Sequence, residues 1–279
     1  MTELIGSVKI GAVSNAPVRL WRRLTAEFLG SALLAAIVIG SGIAAQRLSP
    51  ADTGLELLEN AVATAAGLFA IICMFGPVSG AHFNPVVSFA DAAFGGLSWR
   101  DAAAYLPAQV AGCITGAVAA NLMFARAAVS ISVKDRASGA HALSEVIATA
   151  GLVLVIFALA RAGRAATAPA AVGAYIGAAY WFTASTSFAN PAISVGRMFS
   201  NSFAGIAPSS VPVFIAAQAG GGVAGVLIIT ALYPAFTPAQ AAEVVLRHEA
   251  GDGLAQAAPS ADGSHYVPGS TAGQAANER

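Results

Sequence analysis

Charged side chains are scarce in this chain. Only 10% of the 279 residues are Asp, Glu, Lys or Arg, whereas 57% are hydrophobic and the mean hydropathy is +0.70. Soluble domains carry about 25% charged residues, so the composition excludes a water-soluble protein. The net charge of zero argues against nucleic acid as a partner. Cysteine is rarer still: Cys73 and Cys113 lie in separate apolar stretches, and we expect two small buried hydrophobic side chains rather than a disulfide or a metal site.

Long apolar stretches are what the chain has instead. A helix needs about 20 apolar residues to cross a bilayer, and six stretches qualify, near 24–45, 57–77, 102–125, 143–161, 168–188 and 209–233. Lys and Arg are more numerous on the side that six spans share with the termini, which predicts that both termini are cytoplasmic. Residues 1–21 contain no long apolar run, so we expect a cytoplasmic segment and no cleaved signal peptide. Residues 234–279 are predicted to form a short amphipathic stretch near 239–248 and then a disordered cytoplasmic tail.

An internal repeat organises these spans. Glu27 opens the first span and Glu145 opens the fourth in similar surroundings, and a Gln followed by paired glycines recurs in spans three and six. The repeats cover about 22–125 and 143–233. Each contains three spans, an odd number, so the two copies insert with opposite topology, and a site is expected at the midplane where they meet.

Two Asn-Pro motifs, Asn84-Pro85-Val86 and Asn190-Pro191-Ala192, fall at equivalent places in the two repeats. Proline fits the first helical position and the N-terminal end of a helix carries partial positive charge. The motifs therefore predict two short half-helices whose positive ends meet in a narrow pore. The predicted fold class is an all-α membrane protein with six transmembrane helices and two re-entrant half-helices.

The segments Ser79-Gly80-Ala81-His82-Phe83-Asn84-Pro85-Val86 and Phe188-Ala189-Asn190-Pro191-Ala192 resemble the two signature loops of the aquaporin, or major intrinsic protein, family. The resemblance covers about 22–233 and implies a homotetramer in the inner (plasma) membrane, with one pore in each subunit. Residues 190–206 resemble a bacterial branch of aquaglyceroporins associated with arsenic-resistance genes. That likeness implies passage of arsenite, methylated arsenicals and glycerol-like polyols, with some water.

The resemblance also implies roles for individual residues. Asn84 and Asn190 would aim amide donors into the pore, and Glu27 and Glu145 would brace the two loops by accepting backbone N–H bonds. His82 would orient the first loop. Two alternatives stay open, a proton relay through the glutamates and a gate that depends on the titration of His82.

The selectivity filter is expected to depart from the family. Water- and glycerol-conducting members have Arg directly after the second motif, whereas this chain has Ile193. Spacing from the Asn residues assigns Thr64, Ala178 and Ser187 to the other filter positions, so we expect a wide, weakly polar and uncharged ring. Arg197 is expected to overlook the pore from a wetter outer vestibule; an equally good alternative is that it ties its half-helix to a neighbouring loop.

The sequence predicts a passive channel for small neutral solutes, and a few other functions are alternatives. A secondary transporter also uses inverted repeats, but usually has ionisable residues at the midplane. Within the channel class, water, urea, ammonia, boric acid and hydrogen peroxide remain candidates. The spans contain no paired nucleophile and base, no metal-ligand cluster and no phosphate-binding glycine loop, so neither an enzyme nor a cofactor is predicted.

Overall fold

A computed structural model describes residues 18–233 of the chain. The predictions for most of the N-terminal segment, for the amphipathic stretch near 239–248 and for the tail fall outside these residues.

The described part is entirely helical, without β-strands. Its eight α-helices are α1 (Leu20–Leu48), α2 (Thr53–Ser79), α3 (Pro85–Phe94), α4 (Trp99–Met123), α5 (Gly139–Arg161), α6 (Ala168–Phe182), α7 (Pro191–Gly196) and α8 (Val211–Leu232). Single 3₁₀ turns occupy residues 165–167, 197–199 and 208–210. The six predicted spans correspond to α1, α2, α4, α5, α6 and α8, and the two Asn-Pro motifs begin the short helices α3 and α7.

Of the six helices that correspond to predicted spans, five are long and apolar enough to cross a membrane. The sixth, α6, is shorter than those five. It has 15 residues, which at 1.5 Å per residue make about 22 Å. The 3₁₀ turn at 165–167 adds to its N-terminal end. The prediction that this span continues to residue 188 is wrong, because α6 ends at Phe182 and residues 183–190 form an irregular segment that leads to Asn190.

Glycines bring the helices of each repeat into close contact. A Cβ atom at Gly112 or Gly116 of α4 would overlap carbonyl oxygens of α1, and one at Gly221 or Gly225 of α8 would collide with α5. Gly173 of α6 meets α2 in the same way, with a carbonyl oxygen 2.7 Å from the position of its missing Cβ. Small residues allow backbones to approach in lipid, where close packing drives helix association. The two repeats therefore use equivalent contacts, as the sequence pattern predicts.

The two cysteines lie in different surroundings. Cys113 of α4 is fully buried and packs against Gly196 at the end of α7. Cys73 lies on the exposed face of α2, so the prediction of a buried side chain is wrong there. An apolar thiol suits both environments because the face of a transmembrane helix that points away from the protein meets lipid.

Candidate functional site

Each half-helix is capped by the asparagine of its motif. The Asn84 Oδ1 atom accepts a hydrogen bond from the Val86 backbone N–H at 3.0 Å. Asn190 Oδ1 accepts from the backbone N–H groups of Ala192 and Ile193 at 2.9 and 3.2 Å. These N–H groups have no partner inside the helix, and a side-chain oxygen at the N-cap satisfies them. The capping bonds fix the orientation of both carboxamides.

The same carboxamides tie the two loops to each other. Asn84 Nδ2 donates to the Ala189 carbonyl oxygen at 2.7 Å, and Asn190 Nδ2 donates to the Phe83 carbonyl oxygen at 2.7 Å. Each amide nitrogen carries two hydrogens, and each of these bonds uses one of them. The second N–H of each asparagine remains available to a molecule in the cavity that both side chains line.

The loops before the asparagines share an unusual backbone conformation. Ala81 and Phe83 have φ angles of 53° and 49°, and the equivalent residues Ser187 and Ala189 both have φ angles of 48°. Left-handed conformations are uncommon for residues other than glycine and cost about 1–3 kcal/mol each unless the surroundings hold them. The loops therefore need an external brace.

Two buried glutamates provide this brace, as the resemblance implies. Glu27 accepts from the backbone N–H groups of His82 and Phe83 at 3.0 and 2.7 Å. Glu145 accepts from those of Phe188 and Ala189 at 2.9 and 2.8 Å. Every one of these acceptor bonds satisfies a buried loop N–H group. The two carboxylates therefore hold the loops in place, and neither glutamate lines the cavity.

The bracing network contains further residues that sequence reasoning did not assign to the site. Gln109 Nε2 donates to Glu27 at 2.8 Å and to Ser88 Oγ at 3.0 Å, while Ser88 Oγ lies 3.2 Å from the Asn84 carbonyl oxygen. The second half repeats these bonds with Gln218, Glu145, Ser194 and Asn190. A signal was present: each serine comes four residues after its asparagine.

A cavity is lined by both asparagines. Its apolar lining comes mainly from α1, α2, α5 and α6, and its polar lining comes from the two loops together with Thr64, Tyr180 and Arg197. The lining residues are Leu34, Val38, Thr64, Leu68, Ile72, Gly80, Ala81, His82, Asn84, Val87, Leu152, Ile156, Ala168, Val172, Ile176, Tyr180, Ser187, Phe188, Asn190, Ile193 and Arg197.

Three of the four predicted filter residues, Thr64, Ser187 and Ile193, line this cavity. The fourth assignment is wrong, because Ala178 lies on the exposed face of α6 and does not reach the cavity. Tyr180 of the same helix occupies this region instead, with its hydroxyl 3.1 Å from Thr64 Oγ1. This part of the cavity therefore contains an aromatic ring that spacing alone did not predict.

Arg197 is placed differently from the sequence prediction. It is only 2% exposed, lines the cavity together with the filter residues, and has its guanidinium carbon 3.4 Å from the centre of the Phe188 ring. Its Nε atom donates to the Ala204 carbonyl oxygen. The expected wet vestibule and uncharged ring are both wrong. The alternative is also realised, since the same side chain ties the half-helix to the following loop.

Two further cations surround this end of the cavity, both in the connection between α4 and α5. Arg136 donates to the carbonyl oxygens of Gly205 and Phe203 at 3.0 and 3.2 Å, and burial lowers its pKa to about 10. Lys134 also donates to the Phe203 carbonyl oxygen, at 3.1 Å. Burial of its ammonium group, together with the positive charges of Arg136 and Arg197, lowers the pKa of Lys134 to about 8. Positive charge is therefore concentrated at the Arg197 end.

His82 lies at the other end of the cavity. Its Nδ1 atom is 2.9 Å from Ser88 Oγ, its ring stands edge-on to Tyr105, and its own backbone N–H is held by Glu27. The side chain thus belongs both to the bracing network and to the cavity wall.

Val86 follows the first Asn-Pro pair where the second motif has Ala192, so its side chain is bulkier than that of its counterpart. In the structure this bulk is directed at α8. A Cβ atom at Gly222 would lie 2.5 Å from Val86 Cγ1, so the absence of a side chain at Gly222 makes room for the valine.

Comparison with known proteins agrees with this architecture. The model of the family described as major intrinsic protein matches residues 14–199. The chain belongs to this family. It is 50% identical over 210 residues to aquaglyceroporin AqpS of Rhizobium meliloti (strain 1021), covering 75% of this chain and 89% of that protein. It is 30% identical over 156 residues to the glycerol uptake facilitator protein of Streptococcus pneumoniae, covering 50% and 65%.

The solved structures give the same fold. The X-ray structure of the aquaglyceroporin from Plasmodium falciparum aligns with a TM-score of 0.60 at 19% identity, over 77% of this chain and 98% of that one. The family and these relatives are channels rather than enzymes. Six apolar helices and a cavity lined by the asparagines of two capped half-helices agree with the comparisons, and the protein is a membrane channel of the aquaglyceroporin type.

Proposed function

We propose that this channel passively carries small uncharged polyhydroxy solutes, namely arsenite and related metalloid hydroxides, methylated arsenicals and glycerol-like polyols, together with some water. The observation that carries the proposal is the composition of the filter. The hydroxyl groups of Thr64, Ser187 and Tyr180 share the cavity wall with the apolar side chain of Ile193.

A solute that enters a narrow pore loses its water, and each polar group left unpaired costs several kcal/mol. The filter offers replacements: the Ser187 hydroxyl is buried and bonded to no described residue, and the Thr64 and Tyr180 hydroxyls contact only each other. Deeper in the pore, each asparagine contributes its second N–H. Solutes whose hydroxyl groups lie on one side and whose remaining surface is apolar fit this division of the wall.

Arsenous acid has this character, because it is uncharged near neutral pH and carries three hydroxyl groups around an arsenic atom. Arsenous acid is bulkier than water. Its passage is favoured by Ile193, which is shorter than the arginine that water- and glycerol-conducting members have at this position. The relative at 50% identity is named an aquaglyceroporin, and the likeness of residues 190–206 to the arsenic-resistance branch supports the same solute class.

Electrostatics supports neutral solutes over cations. The N-terminal ends of α3 and α7 carry partial positive charge and meet at the asparagines. Arg197 adds a full charge in the filter, where burial limits screening by salt. A cation would therefore meet repulsion twice, whereas a neutral hydroxide would meet hydrogen-bond donors.

We further propose that the Arg197 end faces outward and the His82 end faces the cytoplasm, with both termini cytoplasmic. This orientation follows from the distribution of Lys and Arg in the connecting segments. The inner (plasma) membrane is the expected location, and four subunits with one pore each are the expected assembly.

Stopped-flow light scattering of proteoliposomes challenged with arsenite, glycerol and osmotic gradients tests the proposal. The wild-type channel should pass all three, without saturation at low solute concentration and without a proton or sodium gradient. Ile193→Arg should lower arsenite and glycerol flux far more than water flux, whereas Ile193→Val, the matched control, should leave all three nearly unchanged. Equal flux of large solutes through Ile193→Arg would refute the filter assignment, and gradient-dependent flux would identify a transporter.

A further inference from the structure

Asp91 is a buried carboxylate that the bracing network does not use. It lies on α3, is 0% exposed, and neither carboxylate oxygen has a hydrogen-bond partner among residues 18–233. Its Oδ2 atom is 3.7 Å from His82 Nε2, which also lacks a hydrogen-bond partner there. Burying a charged or polar group without a partner is costly, so a role for this pair has to be sought in the cavity that His82 lines.

The inverted repeat gives an independent reason to pair these residues. Asp91 is seven residues after Asn84, and Arg197 is seven residues after Asn190. Arg197 lies against Phe188, two residues before its asparagine, just as Asp91 lies against His82, two residues before the other. In both halves a charged residue seven positions after the asparagine lies against a ring that lines the cavity.

We infer that Asp91 is a positioning residue that holds the His82 imidazole against the cavity wall and keeps its proton on Nε2. The inference deepens the proposed channel function and rests on it for its consequence in solute flux. At 3.7 Å the contact is longer than a direct hydrogen bond, so Asp91 acts as an acceptor that attracts the Nε2–H group without binding it directly.

The surrounding groups favour this tautomer. Ser88 Oγ accepts from Gln109 Nε2 and has one hydrogen to donate. That hydrogen can go to His82 Nδ1 at 2.9 Å or to the Asn84 carbonyl oxygen at 3.2 Å. If that hydrogen went to the Asn84 carbonyl oxygen, as Ser194 donates to the Asn190 carbonyl oxygen in the other half, the ring proton would lie on Nδ1 and a bare Nε2 would face the acceptor oxygens of Asp91. Asp91 disfavours that arrangement, so Ser88 donates to Nδ1 and the ring proton lies on Nε2.

Arg23 supplies positive charge to the same cluster. Its Nε atom donates to the Tyr105 hydroxyl at 2.8 Å and its Nη1 atom donates to Asp101 at 3.1 Å, whereas its buried Nη2 has no partner in the described part of the chain. The titratable groups that contact His82 are Glu27 from α1, Asp91 from α3 and Tyr105 from α4, and Arg23 with its partner Asp101 lies behind Tyr105. The positive charge and the unpaired N–H groups of Arg23 favour the ionised carboxylate of Asp91, which accepts hydrogen bonds, over the protonated carboxyl, which donates one.

The consequence concerns the His82 end of the pore. With Nδ1 bound to Ser88 and Nε2 attracted to Asp91, the ring has no spare donor and stays at the wall. Without Asp91, the Nε2–H group would find acceptors only among permeating molecules, and the ring would lean into the cavity. Such a ring would obstruct glycerol more than water.

Two Asp91 variants separate positioning from simple structural support. Asp91→Asn keeps an acceptor oxygen of the same shape, whereas Asp91→Leu removes it at similar volume. We expect Asp91→Leu to lower the ratio of glycerol to water flux about fivefold, equivalent to about 1 kcal/mol, and Asp91→Asn, which keeps the acceptor, to stay near wild type. In a His82→Ala background, Asp91→Leu should not change the ratio. A ratio unchanged by Asp91→Leu, or lowered equally in both backgrounds, would overturn the inference.

A spectroscopic measurement tests the tautomer without reference to flux. The chain has four histidines, and comparison with His82→Ala assigns the ring nitrogen-15 signals of His82. The wild type and Asp91→Asn should show the Nε2–H form, and an Nδ1–H form in the wild type would overturn the inference even if Asp91→Leu fails to fold. A channel that carries no metalloid would refute the proposed solute while leaving this spectrum and the glycerol-to-water ratio intact.

Discussion

Neutralising Arg197 should allow cations to leak through the channel. The side chain is buried in the filter, lies over Phe188 and lines the cavity beside Ile193. Arg197→Gln removes the charge but keeps an N–H donor for the Ala204 carbonyl oxygen, and Arg197→Lys keeps the charge on a different head group. The pair therefore isolates charge from packing.

The size of the effect follows from Coulomb's law. A cation in the filter about 6 Å from the guanidinium, at an effective dielectric constant of about 20, is repelled by about 2.8 kcal/mol. Each 1.36 kcal/mol in a barrier changes a rate about tenfold, so cation flux through Arg197→Gln should rise by up to about 100-fold. The positive ends of α3 and α7 remain, and they keep part of the barrier in place. Glycerol has no net charge and should be nearly unaffected by this change.

The assay is potassium efflux from proteoliposomes under a fixed diffusion potential, with glycerol flux of the same vesicles as the measure of active channel. Arg197→Gln should leak potassium, while Arg197→Lys and the wild type should not. If Arg197→Gln conducts glycerol normally and holds potassium as tightly as the wild type, the half-helix ends alone exclude cations and the role assigned to Arg197 is wrong.

Three further predictions concern the frame that carries the filter. Gly222→Ala should lower thermal stability by about 1–3 kcal/mol through overpacking, because its Cβ would lie 2.5 Å from Val86 Cγ1; adding Val86→Ala should recover much of this loss in the same melting assay. Glu145→Gln should cost about 1–3 kcal/mol and reduce flux, since its amide presents hydrogens to N–H groups that need an acceptor; normal melting and flux would show that the brace is dispensable. Folding lowers the pKa of Lys134 from 10.5 to about 8, so the unfolded chain binds more protons between these values and stability should rise with pH across this window; Lys134→Met should abolish the rise, and an equal rise in the variant would contradict the assignment.

The frame of the channel could be predicted from the sequence because its determinants are local and repeated. An Asn-Pro pair caps a helix wherever it occurs in this geometry, and two copies in register with Glu27 and Glu145 indicate the braces as well. The glycine pairs lie where α4 and α8 approach other helices, although the partner helices, α1 and α5, are known only from the structure. The serines at positions 88 and 194 follow the same logic, although their role needed the structure.

The filter could not be predicted in full because it depends on where helices end and how long side chains turn. The cavity-facing residues of α6 recur every four residues at Ala168, Val172, Ile176 and Tyr180. Ala178 is two residues from Tyr180, hence roughly 200° around a helix of 3.6 residues per turn. Counting backward from Asn190 assumed a loop length that the structure does not have.

Arg197 was misplaced for a related reason. The prediction treated it as one regular turn beyond Ile193, but α7 ends at Gly196 and the chain tightens into a 3₁₀ turn. From there the guanidinium packs over Phe188 instead of projecting into open solvent. Backbone geometry at a helix end, rather than residue spacing, decides whether this charge is screened.

The two halves of the channel use one set of bonds to hold the loops and different side chains to face the cavity. Glutamate, glutamine, serine and asparagine occupy equivalent places in both halves because their bonds satisfy buried backbone groups, which any sequence in this fold must do. The ring two residues before each asparagine satisfies no backbone group, and it is histidine in one half and phenylalanine in the other. The supporting charge differs accordingly, carboxylate at position 91 and guanidinium at position 197. Choice of solute should therefore reside in positions that the frame leaves free, and for this reason substitutions at Ile193 and Tyr180 should change what passes without dismantling the channel.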